Sequence, residues 1–221
     1  ALDNVTFKID PAEFISIVGH SGAGKTTLLK MLLAEDRPSK GKVFLESVNI
    51  HTMPRRHVHS YRRKIGTVFQ DFRLLPKKTV YENIAFAMEV AGHEDKDIEA
   101  DVPYVLKLVD LENKIWNYPN ELSGGEKRRA AIAGVLAMRP EVLLLDEPSM
   151  FLDPRGRREL IRLINGLPGT KLIASHDLAL VRDTCSRVIV MDAGKMMIEG
   201  PAALMKDVQL MEKHGLETPF V

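Results

Sequence analysis

The sequence predicts an α/β fold of three layers, a mostly parallel sheet between helices, with a helical lobe inserted into it. Three observations predict it. A short apolar run, Phe14 to Val18, leads into a glycine-rich turn and then into a helix-prone stretch, Thr26 to Leu33. Two later apolar runs, Glu141 to Leu145 and Lys171 to Ser175, end abruptly on polar residues, as strands delivering side chains to one sheet edge do. From Asp71 to Met138 the pattern is helical instead: Val80, Ile84, Ala87 and Val90 share one face, and Ile98, Val102, Val105, Leu106 and Val109 another. The expected division is a core of residues 1–70 and 139–200, a helical lobe of residues 71–138, and a helical tail of residues 201–221.

In order along the chain, Val5, Phe7 and Ile9 alternate with polar residues, so residues 2–10 are expected to form an edge or half-buried strand. Asp10-Pro11-Ala12-Glu13 turns the chain into the run that precedes the glycine-rich loop. Arg37-Pro38-Ser39-Lys40-Gly41 ends the first helix, and Lys42 to Leu45 begins another strand. Residues 51–64 carry His51, His57 and His59 among five arginines and lysines. They read either as a metal or anion site or as a solvated basic segment; no acidic or cysteine ligand accompanies the histidines, which favours the second. Ile65 to Phe69 is an apolar strand ending at Gln70. Gly92 closes the first helix of the lobe, and Trp116, Tyr118 and Pro119 are expected to close the lobe by packing.

The 221 residues carry 31 basic and 30 acidic side chains, a balance that argues against a nucleic-acid-binding surface. No apolar run reaches the roughly 18 residues of a membrane span, and no signal peptide is read at the start, so a membrane role is expected to come through a partner. The single cysteine, Cys185, lies where a helix leads to a strand and is expected to be a packed thiol.

Gly19-His20-Ser21-Gly22-Ala23-Gly24-Lys25-Thr26 fits the phosphate-binding pattern of two glycines with four residues between them, followed by Lys and Ser/Thr. Backbone N–H groups must wrap a phosphate chain, and glycines let the backbone approach it. A helix starting at Thr26 and Thr27 adds its dipole. Lys25 would reach the β- and γ-phosphates, and the Thr26 hydroxyl would ligate Mg²⁺. Downstream, Leu122-Ser123-Gly124-Gly125-Glu126 before a helix-prone run is a second candidate anion site, with a hydroxyl and exposed N–H groups at a helix start. Asp146 and Glu147 leave the end of an apolar strand together. Asp146 is the candidate metal holder through water and Glu147 the candidate general base. His176 follows the next strand at the same edge and is a candidate γ-phosphate sensor.

With these motifs in this order, the chain resembles the ATP-binding-cassette (ABC) ATPases, phosphate-loop NTPases, over nearly its whole length. The match comprises the loop Gly19 to Thr26, Gln70 as the Q-loop glutamine, Leu122 to Glu126 as the signature, Asp146 and Glu147, Asp153 in the D-loop and His176 as the switch histidine. The resemblance implies a RecA-like core with an N-terminal antiparallel β part and an inserted helical subdomain. It also implies ATP and Mg²⁺ as ligands, and a homodimer formed on ATP binding, each ATP lying between one copy's loop and the other's signature. Gln70 would touch the metal and relay movement to an integral membrane partner docked near Phe72 to Leu75, which places the protein in the cytoplasm, on the inner face of the plasma membrane.

The finer resemblance divides. Val68 to Gly92 and the loop look like the bacterial cell-division ATPase of the FtsE type, whereas the stretch from about Ala131 and the tail look like cobalt/nickel importer ATPases, as in a mosaic joined between Trp116 and Ala131. The N-terminal part carries the docking surface, so a cell-division partner is favoured over an importer. A folded scaffold without turnover is a third reading. A GTPase is disfavoured because Asn113-Lys114-Ile115-Trp116 lacks the guanine-reading Asp. Three departures from the family are expected to matter: the preceding strand and the aromatic that in the family stacks on adenine are not found ahead of residues 2–10, Met150 and Phe151 are bulkier than usual D-loop residues, and Glu126 stands where Gln is more frequent.

Overall fold

The computed structural model describes residues 2–150 and 152–216. Phe14–Val18 (β1) is buried from Ile15 onward and lies inside a six-stranded sheet. The other strands are Ile65–Val68 (β4), Val142–Asp146 (β5), Thr170–Ser175 (β6), Arg187–Asp192 (β7) and Lys195–Pro201 (β8), in the order β4-β5-β6-β1-β7-β8. All neighbours are parallel except β7 and β8. Phe44–Leu45 (β2) and Val48–Asn49 (β3) form a separate antiparallel pair.

Both faces of a parallel sheet must be covered, so its central strands are apolar on both sides. Ile15 and Ile17 join Leu144, Leu172 and Ile189 in one layer, covered by Lys25–Leu32 (α1) and by Tyr61 of Arg55–Arg63 (α2). Val18, Leu143, Leu145, Ile173 and Val188 face the opposite layer, which is continuous with the helical lobe and includes Pro154–Gly166 (α6) and Leu178–Thr184 (α7). The lobe packs Val80–Ala91 (α3) and Asp95–Leu108 (α4) against Gly124–Ala137 (α5). Its first and last helices open on reciprocal capping boxes, Thr79 with Glu82 and Ser123 with Glu126. Each such cap is worth about 1 kcal/mol. Beyond β8, a 3-10 turn at Ala202–Lys206 and the short helix Val208–Lys213 (α8) follow, held by Met205 and Met211, both fully buried.

The parallel register places the functional ends together. Val18 is opposite Ser175, Asp146 opposite Ala174, and Val68 opposite Leu145. The loops after β1, β4, β5 and β6 therefore leave one edge of the sheet, the carboxyl edge where open α/β sheets bind ligands.

Two expectations need correction, on residues 2–10 and on Trp116, while the basic segment is solvated as favoured. Residues 2–10 are not a strand: both ladder positions beside β1 are taken by β6 and β7. Leu2, Val5, Phe7 and Ile9 satisfy their alternation by packing on the layer that holds α1, and the Asp3 N–H donates to the Gly194 carbonyl (2.8 Å). The basic segment 51–64 contains a helix, α2, whose Arg and His side chains are turned outward around one buried Tyr61. Among the described residues no group of three or more His, Cys, Asp or Glu side chains is placed to hold a metal ion. Trp116 is 67% exposed, with its ring 5.2 Å from that of Tyr81, and it is Pro119 that is buried where the lobe closes. Cys185 is buried where α7 ends before β7, and burial pushes its thiol up to about 12.

Candidate functional site

The loop between β1 and α1 takes the shape its glycines permit. Gly24 caps α1 at φ 105°, a conformation costly for any side chain. A Cβ on Gly19 would lie 2.5 Å from the Met191 carbonyl oxygen, so the chain can cross β7 there only as glycine. Ala23 is buried under the loop. Ser21, Gly22, Gly24, Lys25, Thr26 and Thr27 line a cleft of 830 Å³ together with Gln70, Glu147 and His176.

Lys25 is buried, and its ammonium donates to the carbonyls of Gly19 (2.6 Å) and His20 (3.3 Å). It lies 3.3 Å from Glu147 Oε1. The other oxygen of Glu147 accepts from Ser175 Oγ (3.0 Å) and the His176 N–H (3.3 Å), and lies 3.0 Å from His176 Nδ1. Glu147 itself sits at φ 46°, its N–H donating to the Ala174 carbonyl (2.8 Å). A non-glycine residue in the left-handed region is strained, and such strain is found where a side chain must point against the run of its strand.

Asp146 is buried, and burial, followed by the charge of Glu147, raises its pKa against the opposing pull of Lys25. Thr26 Oγ1 is 3.4 Å from its Oδ2. Its Oδ1 is buried with no hydrogen-bond partner among the described residues. A buried, unpaired carboxylate oxygen beside a hydroxyl and Gln70 suits a hard cation with oxygen ligands, so these residues fit Mg²⁺.

The other sequence candidates lie elsewhere. Ser123, Gly124, Gly125 and Glu126 do not line the cleft; the Ser123 hydroxyl accepts from the Glu126 N–H (3.3 Å), and the Glu126 carboxylate accepts from the Ser123 N–H (2.7 Å). Asp153 caps α6 by accepting from Gly156 N–H (2.7 Å). Met150 lines the cleft, whereas Phe151 lies outside the described residues. Phe72, at φ 60°, and Leu74 pack against the core beside Gln70.

Sequence reasoning passed over Arg128. Its side chain is fully buried, donating to the carbonyls of Phe69 (2.9 Å), Gln70 (3.4 Å) and Glu147 (3.4 Å), with its guanidinium 4.6 Å over the Phe72 ring. Burial pushes its pKa down to about 10. The signal was available: Arg128 heads the stripe Ala131, Ile132 and Val135 at helical spacing, and so belongs to the buried face of α5. Asp177, which accepts from Ser149 Oγ (2.7 Å), pairs with Arg157 and caps α7, was also missed.

A family model described as ABC transporter matches residues 2–150. The chain belongs to the ABC transporter family. As an ABC ATPase it is an ATP hydrolase. It is 44% identical over 200 residues to the cell division ATP-binding protein FtsE of Mycobacterium tuberculosis, covering 89% of this chain and 87% of that one. That match spans the 116–131 stretch in which the finer resemblance changes. Among solved structures, an ATP-binding cassette captured as a dimer in a post-hydrolysis state with ADP and Pi superposes with TM-score 0.83 at 31% identity, over 91% of this chain and 90% of that one. The cbiO1 protein of Clostridium perfringens, part of the ABC transporter complex cbiONQ, superposes with TM-score 0.86 at 32% identity, over 99% of this ABC ATPase and 89% of that chain.

Proposed function

We propose that two copies of this ABC ATPase close on Mg·ATP, and that hydrolysis reopens them to move a membrane partner of the cell-division type. The observation that carries the chemistry is the contact of Glu147 with Lys25 of the phosphate loop, Ser175 and His176. ATP phosphates entering the loop offer Lys25 a stronger anion than Glu147, which frees the Glu147 carboxylate. Held by Ser175, it then takes a proton from water as the water oxygen bonds to the γ-phosphorus and the bridging bond to ADP breaks. His176 holds the γ-phosphate oxygens from the opposite side. Mg²⁺, held by Thr26 and Asp146 with Gln70 beside them, would neutralise charge building on the β- and γ-oxygens.

The position of Ser123 to Glu126 away from the cleft supports a composite site in which these residues, with Asp153, meet ATP bound to the other copy. In this reading residues 1–70 and 139–200 bind nucleotide and residues 71–138 form the lobe whose swing the partner feels through Gln70 and Phe72 to Leu75. Residues 201–221 are a tail. No helix among the described residues is long and apolar enough to cross a membrane, so attachment to the cytoplasmic side of the plasma membrane runs through that partner. The likeness to cbiO1 favours a second reading, the ATPase subunit of a cobalt/nickel-type importer.

The experiment is Mg·ATP hydrolysis at rising protein concentration, with Glu147→Gln alongside. Specific activity that climbs with concentration and vanishes in the variant is the expected result. Activity independent of concentration would refute the two-copy site, and activity retained by Glu147→Gln would refute the base.

A further inference from the structure

The phosphate loop has a second tether that the ATPase chemistry does not use. His20, the residue after Gly19, donates from Nδ1 to the Ser21 carbonyl (2.6 Å), and its Nε2 lies 2.9 Å from Asp192 Oδ1 at the end of β7. The other oxygen of Asp192 lies 3.4 Å from Nδ1 of His214, a buried residue just beyond α8. The chain then turns at Gly215 (φ 68°), and Gly215 and Leu216 line the same cleft as Lys25, Glu147 and His176. A Cβ built on Gly215 would stand 3.9 Å from His20 Cδ2. The tail is anchored: Met205, Met211 and Leu216 are buried in the main core. Hydrogen bonding to Asp192 raises the His20 pKa, and His20 and His214 together lower that of Asp192, so the bridge is favoured in its charged form.

We propose that His214 and Asp192 are positioning residues for the phosphate loop: the C-terminal tail straps the loop through the bridge His214–Asp192–His20 and so sets its affinity for the phosphates of a nucleotide. The inference rests on the ATP-binding reading of the cleft. Asp192 holds the His20 ring, the ring holds the Ser21 carbonyl, and the loop's N–H groups are thereby aimed before ligand arrives. Ordering the loop in advance removes an entropic cost that binding would otherwise bear. A carboxylate with two imidazole partners gives charge-assisted hydrogen bonds, stronger than neutral ones.

Calorimetric titration of the full chain with Mg·ADP, which cannot turn over, tests it. His214→Ala should raise Kd roughly tenfold, the loss of one charge-assisted hydrogen bond, and Asp192→Ala, which removes both, at least as much. The double variant should be no worse than the weaker single one. His214→Asn, whose amide nitrogen replaces Nδ1, should bind within about twofold of the unsubstituted chain. In that chain the His20 ring resonances should move on His214→Ala. ADP affinity unchanged in both alanine variants would overturn the strap, as would His214→Asn binding as weakly as His214→Ala, since the imidazole would then be filling space only. Lys25→Ala separates the two levels: it should abolish binding. An unsubstituted, folded chain that binds no ADP would overturn the ATP reading itself, and the strap with it.

Discussion

The ammonium of Lys25 lies 3.3 Å from Glu147 Oε1. The ammonium and the carboxylate therefore neutralise one another, and both are largely hidden from solvent. Substituting either one separates binding from chemistry. Glu147→Gln keeps the shape and the hydrogen bond from Ser175, so it should bind ATP and lose turnover by about 10²–10⁴-fold, the usual worth of a general base. Lys25→Ala should lose nucleotide binding as well, read by equilibrium titration.

Arg128 joins the helical lobe to the segments that follow β4 and β5 by donating to the backbone of Phe69, Gln70 and Glu147. Arg128→Met should cost ~2–4 kcal/mol in urea unfolding, because it strands carbonyl groups in a buried place. Arg128→Lys should recover little, since an ammonium does not present the guanidinium fork. Where enough protein stays folded, hydrolysis should fall further than ATP binding.

The bridge between His20 and Asp192 makes stability depend on pH in a definite sense. His20 titrates above its ordinary 6.5, so its contribution is complete below that value and is lost as pH rises through the raised folded value. Asp192 titrates below its ordinary 3.8, so its contribution is present above that value and is lost as pH falls through the depressed one. Stability from the bridge is therefore complete between 3.8 and 6.5 and fades on the alkaline side first. Unfolding midpoints measured from pH 5.5 to about 9 should decline more steeply for the unsubstituted chain than for Asp192→Asn.

Cys185 is buried with its thiol pushed up to about 12. In the native chain it should react with a thiol reagent far more slowly than after unfolding in urea, because little thiolate forms and the reagent cannot reach it. A native rate equal to the unfolded one would mean that the end of α7 opens freely.

The turn after β1, the delivery of Asp146, Glu147 and His176 to one sheet edge and the α/β class were legible in the sequence because each is local. A glycine pattern dictates a backbone path, and an apolar run ending on two acids dictates a strand that delivers them to an edge. Residues 2–10 misled for a related reason: alternation reports burial of one face, and only the sheet order shows that no pairing edge was left beside β1. For Arg128 only its place on the buried face of α5 was legible; its partners, and the bridge from His214 to His20, were not, since those partners lie as much as 59 residues away for Arg128 and 172 for His20. A charged side chain on a helix is ordinarily solvated, and only packing reveals which one has exchanged water for backbone carbonyls. By itself, then, the sequence determined which groups could handle phosphate, metal and water. The tertiary structure decided which of them meet within one chain, placing Lys25 against Glu147 and leaving Ser123 to Glu126 outside the cleft, because distances between elements follow from sheet order and helix packing rather than from local pattern.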